Sequence, residues 1–204
     1  DITSASFSPD GTRVLTTSRD NYAKMWDAQT GEVLFSKREY DDVMCGAISP
    51  NDTIAIYGTV EGKFVFFDSH TGEVDVMKTF MTLAILDIAF SPDGSQFLMG
   101  CSDETAKLYS AETYNYIRTF EGHDNIIHAV AMGPDHPMAV SGSNDNTARL
   151  WDVHQRATYT MDDGYEGARK VYVRLRNHAG VSPVCSDVIQ LNIWNYVTDW
   201  SHYQ

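Results

Sequence analysis

Asp145-Asn146-Thr147-Ala148-Arg149-Leu150-Trp151-Asp152 decides the fold, because Asp20-Asn21-Tyr22-Ala23-Lys24-Met25-Trp26-Asp27 echoes it position by position. In both, a turn-forming Asp-Asn pair leads into an apolar, basic, apolar, Trp run that ends on Asp. Between them the same positions read Glu61 with Phe67-Asp68, and Asp103 with Tyr109-Ser110, at steps of 41, 42 and 42 residues. A further marker keeps that register: Ser8-Pro9-Asp10-Gly11, Ser49-Pro50-Asn51-Asp52, Ser91-Pro92-Asp93-Gly94 and Gly133-Pro134-Asp135. Three independent markers in one register establish an internal repeat of about 42 residues.

Each unit reads as four short strands. Ala5-Ser6-Phe7 runs into a turn in which Pro9 fixes φ and Gly11 accepts positive φ. Arg13 to Thr17 alternates, Arg19-Asp20-Asn21 turns tightly, Ala23 to Trp26 forms a third strand, and Gln29 to Glu32 turns into a fourth, Val33-Leu34-Phe35. A four-stranded unit of this size cannot bury both faces by itself, so the units must stack on one another.

The fourth unit adds Gly122-His123 and Ser141-Gly142 to Asp145 and Trp151-Asp152. With these residues the chain resembles the WD-repeat (WD-40) β-propeller family over residues 1–161. The resemblance implies an all-β, open, partial propeller of four blades, at residues 1–39, 40–81, 82–124 and 125–161. It also implies a structural tetrad of His123, Ser141, Asp145 and Trp151, of which the first unit keeps Thr16, Asp20 and Trp26. The second unit (Tyr57, Glu61, Phe67) and the third (Met99, Asp103, Tyr109) have departed from it. The 204 residues hold fewer than five units, too few for a closed ring of about seven blades. With Asp1 in first place, the expectation is a stretch of a longer gene product.

After residue 161 the period stops. Lys170 to Arg176 and Ser186 to Leu191, joined across Asn177 to Pro183, read as a β-hairpin resembling the closing hairpin of an immunoglobulin-like or fibronectin type III domain. Such a hairpin is expected to dock beside the fourth blade as a rudimentary fifth. Residues 194–204, rich in Trp and Tyr, follow as either a flap over apolar surface or a frayed end.

Charge narrows the partners. Fifteen Lys and Arg stand against 28 Asp and Glu, a net charge of −13, and all of it lies before residue 154. So acidic a surface repels phosphate backbones, which excludes nucleic acid as a favoured partner. No apolar run approaches a membrane span. Cys45, Cys101 and Cys185 lack metal or disulfide spacing, and no Gly-x-Ser-x-Gly, phosphate-loop or His-Glu-x-x-His motif occurs. No catalytic residue, metal site or cofactor is assigned.

Family resemblance places partner binding where the inner strands begin and the tight turns converge. By register these positions are Asp1, Thr3, Asp42, Met44, Ala84, Leu86, Ile126 and His128, with Arg19, Val60, Ser102 and Asn144 from the turns. Five of the twelve (Met44, Val60, Ala84, Leu86, Ile126) are apolar, more than a water-facing loop requires. The expected function is a non-catalytic scaffold for protein or peptide partners, with self-association through the open blade edges. The alternatives are a regulatory or sensor module of a larger enzyme or surface receptor, and an extracellular adhesion or glycan-binding protein. Localisation follows the alternative taken, cytoplasmic for a scaffold and extracellular for an immunoglobulin-like tail.

Overall fold

The computed structural model describes residues 1–79, 83–134 and 137–153, and the backbone of 158–161, 170–171 and 191–192. Sixteen strands form four antiparallel sheets of four, each meandering in chain order. Sheet 1 is β1 (Ile2–Phe7), β2 (Arg13–Ser18), β3 (Tyr22–Asp27) and β4 (Val33–Arg38). Sheet 2 is β5 (Val43–Ile48), β6 (Ile54–Thr59), β7 (Lys63–Asp68) and β8 (Val74–Thr79). Sheet 3 is β9 (Ile85–Phe90), β10 (Gln96–Cys101), β11 (Ala106–Ser110) and β12 (Tyr116–Phe120). Sheet 4 is β13 (Ile127–Met132), β14 (Met138–Ser143), β15 (Ala148–Asp152) and β16 (Thr158–Met161).

The chain divides into two compact units, residues 1–161 and 162–204. In the second, β17 (Lys170–Val171) pairs antiparallel with β18 (Leu191–Asn192). The rest of the hairpin expected there, its immunoglobulin-like character, its docking as a fifth blade and the aromatic end all fall outside the described residues. Among the described residues no helix is long and apolar enough to cross a membrane.

Side-chain chemistry builds the same turn three times. Ser8 Oγ donates to Asp10 Oδ1 at 2.6 Å and accepts from the Arg13 amide at 2.9 Å, while Thr12 N–H donates to Asp10. Ser49 with Asn51 and Ser91 with Asp93 repeat it. The left-handed position is Gly11 and Gly94 in two turns and Asp52 (φ 60°) in the other. The Ser8 hydroxyl and the Thr12 groups hold the Asp10 carboxyl down to about 2.

The core lies between sheets rather than within them. Leu15, Ala23 and Met25 of sheet 1 meet Val43, Ala55, Tyr57, Val65 and Phe67 of sheet 2. Ile56, Phe64 and Phe66 meet Ile85, Ile88, Phe97, Met99 and Tyr109 at the second seam. Leu98, Ala106, Leu108 and Phe120 meet Ile127, Val130, Ala139 and Trp151 at the third. The inner strands β1, β5, β9 and β13 pack against one another in sequence, which lines the inside of the arc with the first strand of every sheet.

Glycine makes room at the seams. A Cβ on Gly58 would stand 2.7 Å from Ile85 Cγ2 and 2.8 Å from Ile85 Cβ. Gly58→Val therefore overpacks the second seam and is expected to cost about 1–3 kcal/mol of unfolding free energy. Urea denaturation of the variant beside the parent measures it.

Candidate interaction face

A hydrogen-bonded relay ties sheet 4 to the loop that precedes it. Trp151 Nε1 donates to Ser141 Oγ at 2.8 Å, the Ser141 hydroxyl donates to His123 Nε2 at 2.8 Å, and His123 Nδ1–H donates to Asp145 Oδ2 at 2.6 Å. This direction of donation leaves every member satisfied with a neutral imidazole. Ser141, His123 and Asp145 share residue types and connectivity with a hydrolase triad, but Ser141 is 1% exposed and its oxygen already accepts the indole N–H. The trio holds β14, β15 and the loop before β13 together.

Burial pushes the Asp145 carboxyl up, yet hydrogen bonds from the Thr147 hydroxyl, His123 and the Thr147 and Asp124 amides outweigh it, and the net direction is down. A carboxyl lowered on folding contributes stability that is whole above its unfolded value, near 3.8, and lost as pH falls through the lower folded value. Asp145→Asn should flatten that part of the acid-unfolding curve and lower stability at neutral pH. Thermal melts between pH 7 and pH 2 check both.

The other sheets solve the same problem differently. In sheet 1, Trp26 Nε1 donates to Thr16 Oγ1 at 2.7 Å, and Asp20 Oδ1 accepts from the Tyr22 amide at 3.2 Å. In sheet 3, Asp103 takes Thr105 Oγ1 and Lys107 Nζ, each at 2.7 Å, while Tyr109 stacks on Phe97 at 5.3 Å. In sheet 2, Glu39 occupies the position of His123 in the register, is 7% exposed, and accepts from both the Tyr57 hydroxyl and the Lys63 ammonium. Burial first, then the bond to Glu39 and its charge, push the Tyr57 hydroxyl up. Glu39 and Lys63 are not residue types of the family's tetrad, so the repeat pattern does not mark them. The signal available was an acid two turns upstream of a Tyr, at the right distance for a paired substitute. Glu39→Ala strands the Tyr57 hydroxyl and Lys63 together and is expected to cost about 3 kcal/mol, less in Glu39→Gln, by chemical denaturation.

Above these clips the twelve residues singled out at the strand starts come together in a regular frame. The carbonyls of Asp1, Asp42, Ala84 and Ile126 accept from the amides of Arg19, Val60, Ser102 and Asn144 at 2.9, 3.0, 3.0 and 3.0 Å. The next residue but one in each strand sits at a register shift. Ile2 pairs Ser18 and Ser4 pairs Thr17, which leaves Thr3 unpaired; Met44, Leu86 and His128 are skipped in the same way in β5, β9 and β13. A bulge re-aims the side chain of the extra residue.

These four bulge residues line one concavity of about 410 Å³, together with Asp1, Ile2 and Arg19. Met44 and Leu86 are half-buried there, and Arg19 and His128 are exposed. Thr3 is committed to the seam, donating to the Val43 carbonyl at 2.7 Å and facing Thr17 Oγ1 at 2.8 Å. Asp42, Ala84, Ser102 and Ile126 are half-buried and Val60 and Asn144 are exposed, and none of these six lines the concavity. The apolar part of the face is thus concentrated on Ile2, Met44 and Leu86. Cys45 and Cys101 are buried free thiols below it, both pushed up chiefly by burial, Cys101 to about 12. Among the described residues no group of three or more His, Cys, Asp or Glu side chains is placed to hold a metal.

Comparison with known proteins matches the family model "WD domain, G-beta repeat" to residues 1–27, 66–110 and 114–152, more than half of the chain. The unmatched interval between the first two segments contains Glu39, Tyr57 and Lys63. The nuclear distribution protein nudF of Aspergillus flavus is 34% identical over 116 residues, 55% of this chain and 26% of that protein. Apoptotic protease-activating factor 1 of Rattus norvegicus is 30% identical over 164 residues, 78% of this chain and 13% of that protein. The chain spans about a quarter of the nudF relative's length. Among solved structures, U3-55K superposes with a TM-score of 0.74 at 18% identity, over 78% of this chain and 51% of its own, a likeness of fold.

Proposed function

This chain belongs to the WD-repeat family, and on that footing we propose that residues 1–161 are a non-catalytic scaffold that holds a protein or peptide partner at the mouth of the arc. The observation that carries this reading is the convergence of one bulge residue from every sheet on a single concavity. Met44 and Leu86 give it an apolar floor, while Arg19, His128 and Asp1 give it polar contacts at the edge. That mixture suits a short peptide with an apolar anchor, since a half-buried aliphatic pair gains by losing water and the edge groups fix orientation. WD-repeat relatives are generally interaction modules, which supports the non-catalytic reading.

Selecting peptides from a random display library on the immobilised chain supplies the probe. Met44→Asp with Leu86→Asp should weaken the selected peptides by more than about tenfold, because charging the floor opposes burial of the anchor. Val60→Asp, outside the rim, should leave them unchanged, and circular dichroism should show both variants folded. Equal capture by the double variant would overturn the assignment.

A second reading has its own support. The match to apoptotic protease-activating factor 1 covers only 13% of that much larger protein. The arc would then be a sensor module joined to other domains, using the same mouth. Co-expression with such flanking domains, followed by the peptide test, distinguishes the two.

A further inference from the structure

Among the described residues, every lysine and arginine side chain is engaged except that of Arg19. Arg13, Lys63 and Lys107 pair with Asp52, Glu39 and Asp103. Lys78 and Arg118 donate to backbone carbonyls, three more lie over aromatic rings, and Arg149 has a partner as well. Arg19 is exposed, and its side chain makes no hydrogen bond, ion pair or ring contact. The described histidines divide in the same way: His70 meets Ser69, His123 is held by Ser141 and Asp145, and His128 alone is without a partner. In a chain with 28 acidic residues an unmatched cation is the unexpected case.

Both unmatched groups line the concavity at the mouth, beside Met44 and Leu86. Asp1 is the one acid in that lining. Its carbonyl accepts the Arg19 amide, yet its carboxylate forms no ion pair with the guanidinium. An aliphatic floor, a fork of guanidinium donors and an imidazole thus share one volume of about 410 Å³. An arginine fork is complementary to a carboxylate, which it holds through two parallel hydrogen bonds. A net charge of −13 repels a ligand with a run of acidic side chains, so the carboxylate has to come singly. The end of a polypeptide supplies it in that form. Its α-carboxylate and its last side chain leave the same Cα, so one residue reaches fork and floor together. An internal acid needs a second residue for the floor and a chain that both enters and leaves.

On the reading of the mouth as a peptide site, we propose that its occupant is the C-terminus of a partner protein, an apolar last residue seated on Met44 and Leu86 and its α-carboxylate held by Arg19 and His128. The floor selects the side chain by excluding water, Arg19 supplies the opposite charge, and the His128 imidazole supplies a further N–H donor. Asp1 opposes the carboxylate and so lowers the affinity.

Random hexapeptides extended by a C-terminal Leu, made with a free carboxylate and with an amidated end, are passed over the immobilised full chain and the retained material is measured. The free-acid pool should be retained about tenfold better or more. Arg19→Gln should remove that preference, Arg19→Lys should keep part of it, and Asp1→Asn should increase it. Because the Arg19 side chain touches nothing in the fold, circular dichroism should show these variants unchanged. Met44→Asp with Leu86→Asp should release both pools. Equal retention of the two pools, or a preference that survives Arg19→Gln, would overturn the carboxylate assignment while leaving the mouth as a peptide site. Retention of neither pool by a chain that still holds peptides from the display library would overturn it too. A chain that holds no peptide of any kind would overturn the reading of the mouth itself.

Discussion

Burial of apolar side chains between neighbouring sheets is the constraint on which the structure depends. In β6, Ala55 and Ile56 point to opposite faces and both are fully buried, one against sheet 1 and the other against sheet 3. Such a strand has no solvent side, so no single unit is stable and the free energy resides in the seams. Each fully buried aliphatic or aromatic side chain there contributes about 1.5–3 kcal/mol. The matching of Ile85 to Gly58 and Ile127 to Gly100 shows that this contribution depends on shape, since one added carbon at either glycine would collide.

Inner strands carry a second burden, because their central edges have backbone groups with no ladder partner. Side chains of the preceding sheet supply the missing bonds. Thr3 Oγ1 reaches the Val43 carbonyl, the Cys45 thiol reaches the Ile85 carbonyl at 3.4 Å, and Asp87 accepts from the Val130 amide at 2.8 Å. Burial pushes the Asp87 carboxyl up even though the Val130 and Ile88 amides favour its charged form. Arg13, 7% exposed, ties sheets 1 and 2 at the opposite side through the Ser69 carbonyl and Asp52. Apolar seams set the stacking, and these polar ties hold its register.

Periodicity made the sheets legible in the sequence because turns and Trp-Asp ends obey local rules. Pro9 and Gly11 announce a turn whatever surrounds them, and three markers in one register leave little choice of topology. The mouth was legible to the same extent, since Thr3, Met44, Leu86 and His128 follow from counting residues. Glu39 was not, because a buried acid is recognisable only beside its donors, and Tyr57 and Lys63 lie 18 and 24 residues away. Nor was the absence of Ala84 and Ile126 from the lining of the concavity, since counting residues does not tell which side chains reach it. The close approach of Ile85 to Gly58 and of Ile127 to Gly100 was equally hidden. A glycine in a strand reads as weakness until isoleucine is seen to fill the space beside it.

Division of labour at the mouth explains why equivalent positions there carry such different chemistry. The frame is made of backbone bonds, from the Arg19, Val60, Ser102 and Asn144 amides to the carbonyls of the strand starts. Bonds of that kind are indifferent to side-chain type, so Asp1, Asp42, Ala84 and Ile126 serve equally well. The bulge then projects the extra residue out of the ladder, where neither pairing nor seam packing dictates its identity except at Thr3. A hydroxyl, a thioether, a branched aliphatic and an imidazole can therefore occupy one structural position in four sheets. Residues released from the fold in this way converge on one concavity, and a change of side chain among Met44, Leu86 and His128 leaves the backbone frame of the arc as it is.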